Sequence, residues 1–375
     1  MKIKTFNLLR SGIKNPSYAF QKLKNIIVSL TNFDYRFLNG YSFYPDVIRV
    51  DLTYKCNLRC KICFEFGENP QEKNKETTDD KDISIDSLKK IIDEVNSFKP
   101  TFYLSGGEPL IYPKIIELLE YLQHKKLYSL INTNGVLLKK YAEDLVKLKV
   151  DKIIVSIDGP EKVHDLNRGK NFKQIIEGIK FLKDIKKNEN SHFPLIRVNS
   201  LITPFNSECL EETVSLAEGL GLDSLTFQHP MFSNEEVRKE YVDGVNPDRV
   251  NQINILGFTY KGGIDTDSLI RQIKNIKNRK TKIPVNFYPG IRVDEVKFYY
   301  SDFNYKFKDR CLSAWRKVII TPKGDIGPCV NHLLDNVNNK RFKEIWNGKR
   351  YIEFRNRLKV KGLMPSCLRC CLREY

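Results

Sequence analysis

The sequence predicts an α/β protein, a parallel sheet wrapped by helices and followed by a small α+β unit. Two observations carry this reading. Between residues 47 and 228, strand-length apolar runs alternate with amphipathic helical stripes, the pattern of β/α units on a parallel sheet. Eight of the nine cysteines are gathered, three in one short loop and five between Cys311 and Cys371, which marks off a second unit. A length of 375 residues suits about two domains, and 41% hydrophobic residues supply a sizeable core.

Taken in order, residues 1–44 form a basic extension. Asn15-Pro16-Ser17 opens a helix with Phe20, Leu23, Ile27 and Leu30 on one face and Lys22 and Lys24 beside it. Such a helix can close the base of the next domain or lie on an anionic membrane surface. The core domain, 45–230, opens with a buried strand over 47–52 (VIRVDL). A helix follows with the stripe Leu88, Ile91, Ile92 and Val95, then a strand over 101–105 (TFYLS). Ile115, Leu118, Leu119 and Leu122 mark the next helix and 127–133 (LYSLINT) the next strand. A helix on Leu138, Tyr141, Leu145 and Leu148 leads to a strand over 153–157 (IIVSI). A helix on Ile175, Ile176, Ile179 and Leu182 leads to 195–201 (LIRVNSL). Leu210, Val214 and Leu216 point to a last helix before 224–228 (SLTFQ). These are about six β/α units, short of the eight that close a full barrel. Residues 65–82 are a polar loop, 231–305 a less regular linker or insert with a helix around Leu269, Ile273 and Ile276, and 306–375 a cysteine-bearing tail.

No apolar run is long enough to span a bilayer, and no signal peptide is expected. The net charge of +17 attracts nucleic acid, anionic lipid or phosphorylated small molecules, or simply reflects a chain rich in lysine throughout. No RNA-binding module is visible, so nucleic acid is not expected as a partner. Clustered cysteines without a secretory signal read as metal or cluster ligands rather than disulfides, which places the chain in the cytoplasm, with peripheral membrane contact through the N-terminus as the variant of that expectation.

Cys56-Asn-Leu-Arg-Cys60-Lys-Ile-Cys63 directly follows the first strand. Three thiolates at the C-terminal end of a strand leave the fourth iron of a [4Fe–4S] cluster open to an exogenous ligand, as a catalytic zinc keeps one position free. Zinc with a distant fourth ligand is the competing reading. The loop resembles the cluster-binding loop of the radical S-adenosylmethionine (SAM) superfamily, and three further matches follow in order. Ser105-Gly106-Gly107-Glu108-Pro109 resembles the motif that receives the SAM amino group. The glycines would let the backbone approach the ligand, and a carboxylate pairs with an ammonium. Ser156-Ile-Asp158-Gly159-Pro160 ends the fourth strand where the family contacts the SAM ribose and carboxylate. Then comes His164-Asp165-Leu-Asn-Arg168-Gly169, in which Arg168 could fork onto the SAM carboxylate or form a surface salt bridge. The chain departs from the family pattern before the third cysteine, where an aromatic residue is usual and Ile62 stands, with Phe64 after Cys63. Asn132, Thr133, Asn134 and Asn199 could face SAM or substrate, or be turn and core amides. His229, after Gln228, could touch substrate or be structural.

In the tail, Cys311 and Cys329 precede Cys367-x2-Cys370-Cys371. Four thiolates from distant pairs suit a tetrahedral metal or a fully ligated [4Fe–4S] cluster. Behind such a core, they resemble the SPASM domain or its shorter "twitch" form, as does Ile345-Trp346-Asn347-Gly348 followed by Arg355. The cysteines suffice for one auxiliary cluster, held by Cys311, Cys329, Cys367 and Cys370, with Cys371 able to replace Cys370. Cys209 reads as a core residue.

The resemblance implies a partial (β/α)6 TIM-like barrel with a small α+β twitch/SPASM-like domain. SAM, a [4Fe–4S] cluster with three protein ligands and one auxiliary [4Fe–4S] cluster are the implied cofactors. An electron from a donor such as flavodoxin or ferredoxin would cleave SAM to a 5′-deoxyadenosyl radical, which abstracts a substrate hydrogen. Oxidation, epimerisation or crosslinking of a small metabolite, sugar or peptide would follow, with Cys371 or Cys209 as a conceivable hydrogen donor. A lipid-linked or tRNA substrate, or a non-catalytic iron–sulfur electron-transfer protein, are the alternatives. Ordered SAM motifs oppose the last, because an electron carrier needs no SAM pocket.

Overall fold

The computed structural model describes residues 31–63, 82–234, 262–305, 310–364 and 367–371, with isolated positions at 23, 27, 28, 236, 258, 259 and 307. The amphipathic helix expected from Asn15 and the polar loop at 65–82 lie almost wholly outside these residues. No described helix is long and apolar enough to cross a membrane.

The six expected strands form as Val47–Asp51 (β1), Thr101–Ser105 (β2), Tyr128–Thr133 (β3), Lys152–Ser156 (β4), Leu195–Leu201 (β5) and Ser224–Gln228 (β6). Each pairs in parallel with its sequence neighbour. One face of every strand is apolar and sealed. Ile48, Val50, Phe102, Leu104, Ile131, Ile153, Val155, Val198, Leu225 and Phe227 join a single core with the helices. The other face carries Arg49, Tyr103, Asn132, Lys152, Arg197, Asn199 and Gln228, all partly accessible. This alternation distinguishes the outer wall of a barrel-like sheet from its lumen.

The helices that cover the outer wall are Ile85–Val95 (α2), Ile115–His124 (α3), Leu138–Lys147 (α4), Glu161–Arg168 (α5), Phe172–Asn188 (α6) and Leu210–Gly219 (α7), after a short α1 at Phe33–Phe37. In α2 and α3 the buried residues are those expected from the periodicity. In α4 the buried set is Leu138, Ala142, Leu145 and Val146 rather than the one including Tyr141 and Leu148. Gly178 lets α6 lie hard against α4, since a Cβ there would sit 3.2 Å from Leu138 Cβ.

Phe232–Ser233 (β7) and Phe258–Thr259 (β8) form a separate two-stranded ladder. Two further strands extend the main parallel sheet, one at each side. Val285–Tyr288 (β9) pairs in parallel with β6. It comes from the segment read as a linker; four residues between Pro284 and Pro289, one of them a polar Asn286, carried too little apolar signal to be seen. Lys317–Ile320 (β10) pairs in parallel with the other side of β1, followed by antiparallel Asp325–Gly327 (β11) and Asp335–Asn336 (β12). The described sheet runs β12-β11-β10-β1-β2-β3-β4-β5-β6-β9 and stays open. The cysteine-bearing tail therefore shares its sheet with the core.

The remaining described helices are Thr266–Asn278 (α8), Val296–Ser301 (α9), Ser313–Arg316 (α10), Phe342–Trp346 (α11) and Lys349–Lys361 (α12). The end of the N-terminal extension docks on this tail. Arg316 forms a buried ion pair with Asp34 at 2.7 Å. Trp346 Nε1 donates to the Phe43 carbonyl at 2.6 Å. Arg355, fully buried, donates to the carbonyls of Gly40 and Ala314 and to Asn347 Oδ1 while stacking on Trp346. The Trp346-Asn347 and Arg355 elements singled out in the sequence are thus the clamp that holds residues 31–44.

Candidate functional site

β1 delivers the chain straight into the first cysteine loop. Cys60 is buried, and Cys56 and Cys63 are half-buried. The loop is laced to the Gly106-Gly107-Glu108 segment at the end of β2. Gly107 N donates to the Thr53 carbonyl and Glu108 N to the Lys55 carbonyl, each at 2.8 Å. A Cβ on Gly106 would lie 2.6 Å from the Thr53 oxygen, and one on Gly107 only 2.1 Å from that of Lys55. Gly106 also has φ of +114°, a region that L side chains rarely adopt. The glycines therefore let two backbone segments touch just ahead of Cys56, a structural demand beyond the close approach of a ligand.

Glu108 is fully buried. Its carboxylate accepts from Thr133 Oγ1 at 2.7 Å, Asn134 N at 2.8 Å and Leu110 N at 3.1 Å. Burial raises its pKa to about 7, and those donors oppose the rise. Pro109, also buried, opens the turn that Glu108 caps. Glu108 so fixes Asn134, whose Nδ2 donates to Asn57 Oδ1 at 2.8 Å and reaches Cys56 Sγ at 4.0 Å.

On the far side of the loop stands Asp158, with no exposed surface. Arg168 Nε donates to its Oδ2 at 2.6 Å and Nη2 to its Oδ1 at 3.3 Å, and Leu201 N also donates to Oδ1. The guanidinium charge also acts on the Cys60 thiol, opposing the rise in its pKa caused by burial. Arg168 is thus a buried partner of Asp158 rather than a surface ion pair, and its charge faces the cysteine loop. The end of α5 joins the same contact, Lys61 N donating to the Asn167 carbonyl at 2.9 Å. Asn206, not anticipated from the sequence, donates to the Asp158 carbonyl at 2.7 Å. Ser156 lies on the lumen face of β4. Asn199 does so on β5, where its Nδ2 donates to Gln228 Oε1 at 3.0 Å.

The tail brings its cysteines together. Cys370 lies within electrostatic reach of Cys311, Cys329 and Cys367, and burial pushes its thiol far up. Cys329 likewise feels Cys367 and Cys311. Among the described residues no three His, Cys, Asp or Glu side chains are close enough to hold one ion. Cys371 points elsewhere. It packs on Met231, Ile319 and Val330 and accepts from Gln228 Nε2 at 3.0 Å, which turns it towards the lumen. Cys209 sits at the start of α7 beside Gly159, with burial raising its pKa to about 11. His229 is 1% exposed, 2.7 Å from the Tyr300 hydroxyl and packed on Tyr299; it is an internal residue rather than a substrate contact. The signal for the lumen groups was faint, a lone Arg197 inside an apolar strand.

Comparison with known proteins agrees with this architecture. Residues 50–218 match the model of the radical SAM superfamily, and residues 311–371 match SPASM, an iron-sulfur cluster-binding domain. The chain is 25% identical over 350 residues to the tungsten-containing aldehyde ferredoxin oxidoreductase cofactor-modifying protein of Pyrococcus furiosus, covering 87% of each chain. It is 28% identical over 335 residues to the AdoMet-dependent heme synthase of Methanosarcina barkeri, covering 86% of this chain and 88% of the relative. The fold is shared with Streptococcus suis SuiB bound to its precursor peptide SuiA, at TM-score 0.62 and 18% identity over 94% of this chain and 81% of SuiB. These matches imply a SAM-binding [4Fe–4S] cluster in the barrel and an auxiliary cluster in the tail. The chain belongs to the radical SAM superfamily and carries a C-terminal SPASM domain.

Proposed function

We propose that Cys56, Cys60 and Cys63 hold the SAM-binding [4Fe–4S] cluster and that Cys311, Cys329, Cys367 and Cys370 hold one auxiliary cluster. In this reading the enzyme abstracts hydrogen from a small metabolite, sugar or peptide bound in the lumen between them, leading to oxidation, epimerisation or crosslinking. The observation that carries it is the convergence on one cysteine loop of the segments after β1, β2, β3 and β4. The residue types suit the groups. Three thiols bracketed by Asn134 and the Arg168 cation suit a cluster with one open iron, and four half-buried thiols drawn from distant segments suit a closed one. When bound, SAM on the first cluster supplies a 5′-deoxyadenosyl radical upon reduction. The protein holds the loop through Gly106 and Gly107, fixes Asn134 through Glu108, and sets Arg168 against Cys60 through Asp158. Excluding water from the sheet's lumen protects reactive species. The names of the relatives, a heme synthase and a cofactor-modifying protein, favour a small-molecule substrate, and SuiB's bound precursor keeps a peptide in view.

Anaerobic reconstitution tests this. Wild-type protein is expected to bind about eight irons per chain and the Cys56/Cys60/Cys63→Ala variant about four. Dithionite and SAM should yield 5′-deoxyadenosine with wild type alone. A variant that keeps its full iron and still forms deoxyadenosine would overturn the assignment.

A further inference from the structure

The lumen of the sheet carries charge that the radical chemistry does not use. Among the described lumen-facing strand positions, the cations are Arg49, Lys152, Arg197 and Lys317, and the acids are Asp51 and, out on β11, Asp325. Asp51 is committed to Arg49, at 2.8 Å. Arg197 and Lys152 stand on neighbouring strands and the same face: Arg197 is in register with Ile154, two residues along from Lys152. Arg197 Nε is buried without a hydrogen-bond partner, and no described carboxylate pairs with its guanidinium. The phenols of Tyr103 and Tyr128 line it instead. An N–H buried without an acceptor has lost its hydration with nothing in return, and a ligand oxygen can supply the missing partner. Lys152 has its pKa lowered to about 8 by burial and next by the Arg197 charge, with Asp223 and Asp151 opposing the shift. Above this pair, Asn199, Gln228 and the Cys371 thiol form a hydrogen-bonded neutral rim.

We infer that the substrate carries a carboxylate or phosphate group that enters the lumen and seats against Arg197 and Lys152, with its uncharged part beside Asn199, Gln228 and Cys371. This rests on the proposed radical SAM reading and names the substrate class for that site. A planar fork suits either oxyanion, and a sheet face bearing four cations against two acids attracts such a substrate and resists a cationic one.

The test uses the full reconstituted chain saturated with SAM, and measures binding of inorganic pyrophosphate and, separately, succinate by anaerobic equilibrium dialysis. One anion per chain is expected. Arg197→Gln and Lys152→Gln should each weaken it about tenfold, the loss of one charge-assisted contact, and Arg197→Lys less. Lys349→Gln removes an exposed surface charge and should change neither anion binding nor deoxyadenosine formation. Preference for pyrophosphate or for succinate decides between phosphate and carboxylate. Iron content equal to wild type shows that the lumen variants have folded, and Lys152→Gln stands in if Arg197→Gln does not. Equal binding by wild type and both lumen variants, meaning an adventitious ion only, overturns the inference. So does no binding by wild type, or an Arg197→Gln protein that loses SAM instead of the anion. Deoxyadenosine formation by wild type is a separate readout, so failure of the radical SAM reading is seen independently.

Discussion

The Arg168–Asp158 pair shows what a residue can do for a site it never leaves. Both groups are almost wholly removed from water, where an ion pair contributes little net stability but is costly to break. Asp158→Asn would leave Arg168 charged beside Cys60 with half its partner gone. We expect a loss of about 3 kcal/mol in urea unfolding of the apo-protein, and reduced iron at the first cluster site; an unchanged midpoint would show that the pair does not anchor the loop. His229 gives a second, pH-dependent expectation. Burial lowers its pKa to about 3, against about 6.5 unfolded. The unfolded chain therefore takes up a proton that the folded chain refuses. The stability from neutral His229 is full above about pH 6.5 and falls as the pH drops towards 3, by about 1.4 kcal/mol per unit. His229→Gln, which can still meet the Tyr300 hydroxyl, should lose less stability than wild type between pH 7 and pH 5. Parallel losses in the two proteins would refute it.

At the scale of elements, the first cysteine loop depends on a turn that contains no cysteine. Gly107 has no room for a methyl group against the Lys55 carbonyl, so Gly107→Ala must push the loop away from β2 and break the bonds at Thr53 and Lys55. The expected outcome is iron lost from the first cluster while the auxiliary one is kept, read by iron counts and electron paramagnetic resonance. Gly219 is the contrast, since a methyl group there would meet nothing within 4 Å. Gly219→Ala should be neutral or stabilising by up to about 1 kcal/mol. Both cysteine clusters, the glycine turn and the six β/α units were legible in the sequence because their signals are local: fixed spacings, and periods of two and 3.6. β9 was not, since a short strand pressed between prolines has no period to show. Nor was the choice between Cys370 and Cys371. Neighbours in sequence, they differ in the structure by the contact of Cys371 with Gln228, more than a hundred residues away. The pairing of Arg168 with Asp158 was not legible either, because Asp158 meets it only once α5 folds back over the end of β4.

For the whole molecule, the question is what keeps the tail in register with the barrel, since the proposed reading, with a substrate between two clusters, needs both fixed. Part of the answer is the shared sheet, β10 lying against β1. The other part is Arg355. Its guanidinium joins three segments, residues 31–44, the stretch leading into β10, and the turn between α11 and α12, through the Gly40 and Ala314 carbonyls and Asn347. Burial lowers its pKa to about 10, still well above neutrality, so it remains charged under ordinary conditions. Arg355→Met keeps the bulk over Trp346 but orphans those acceptors, at a cost of about 3 kcal/mol or more. Arg355→Lys restores the charge without the fork and should rescue little. Because Ala314 lies three residues after Cys311, the loss should spread to the auxiliary cluster before the first one. Urea unfolding followed by both protein fluorescence and cluster absorbance would show this as early release of auxiliary iron in Arg355→Met. Simultaneous release of both clusters, at the wild-type midpoint, would mean that the sheet alone holds the two halves together.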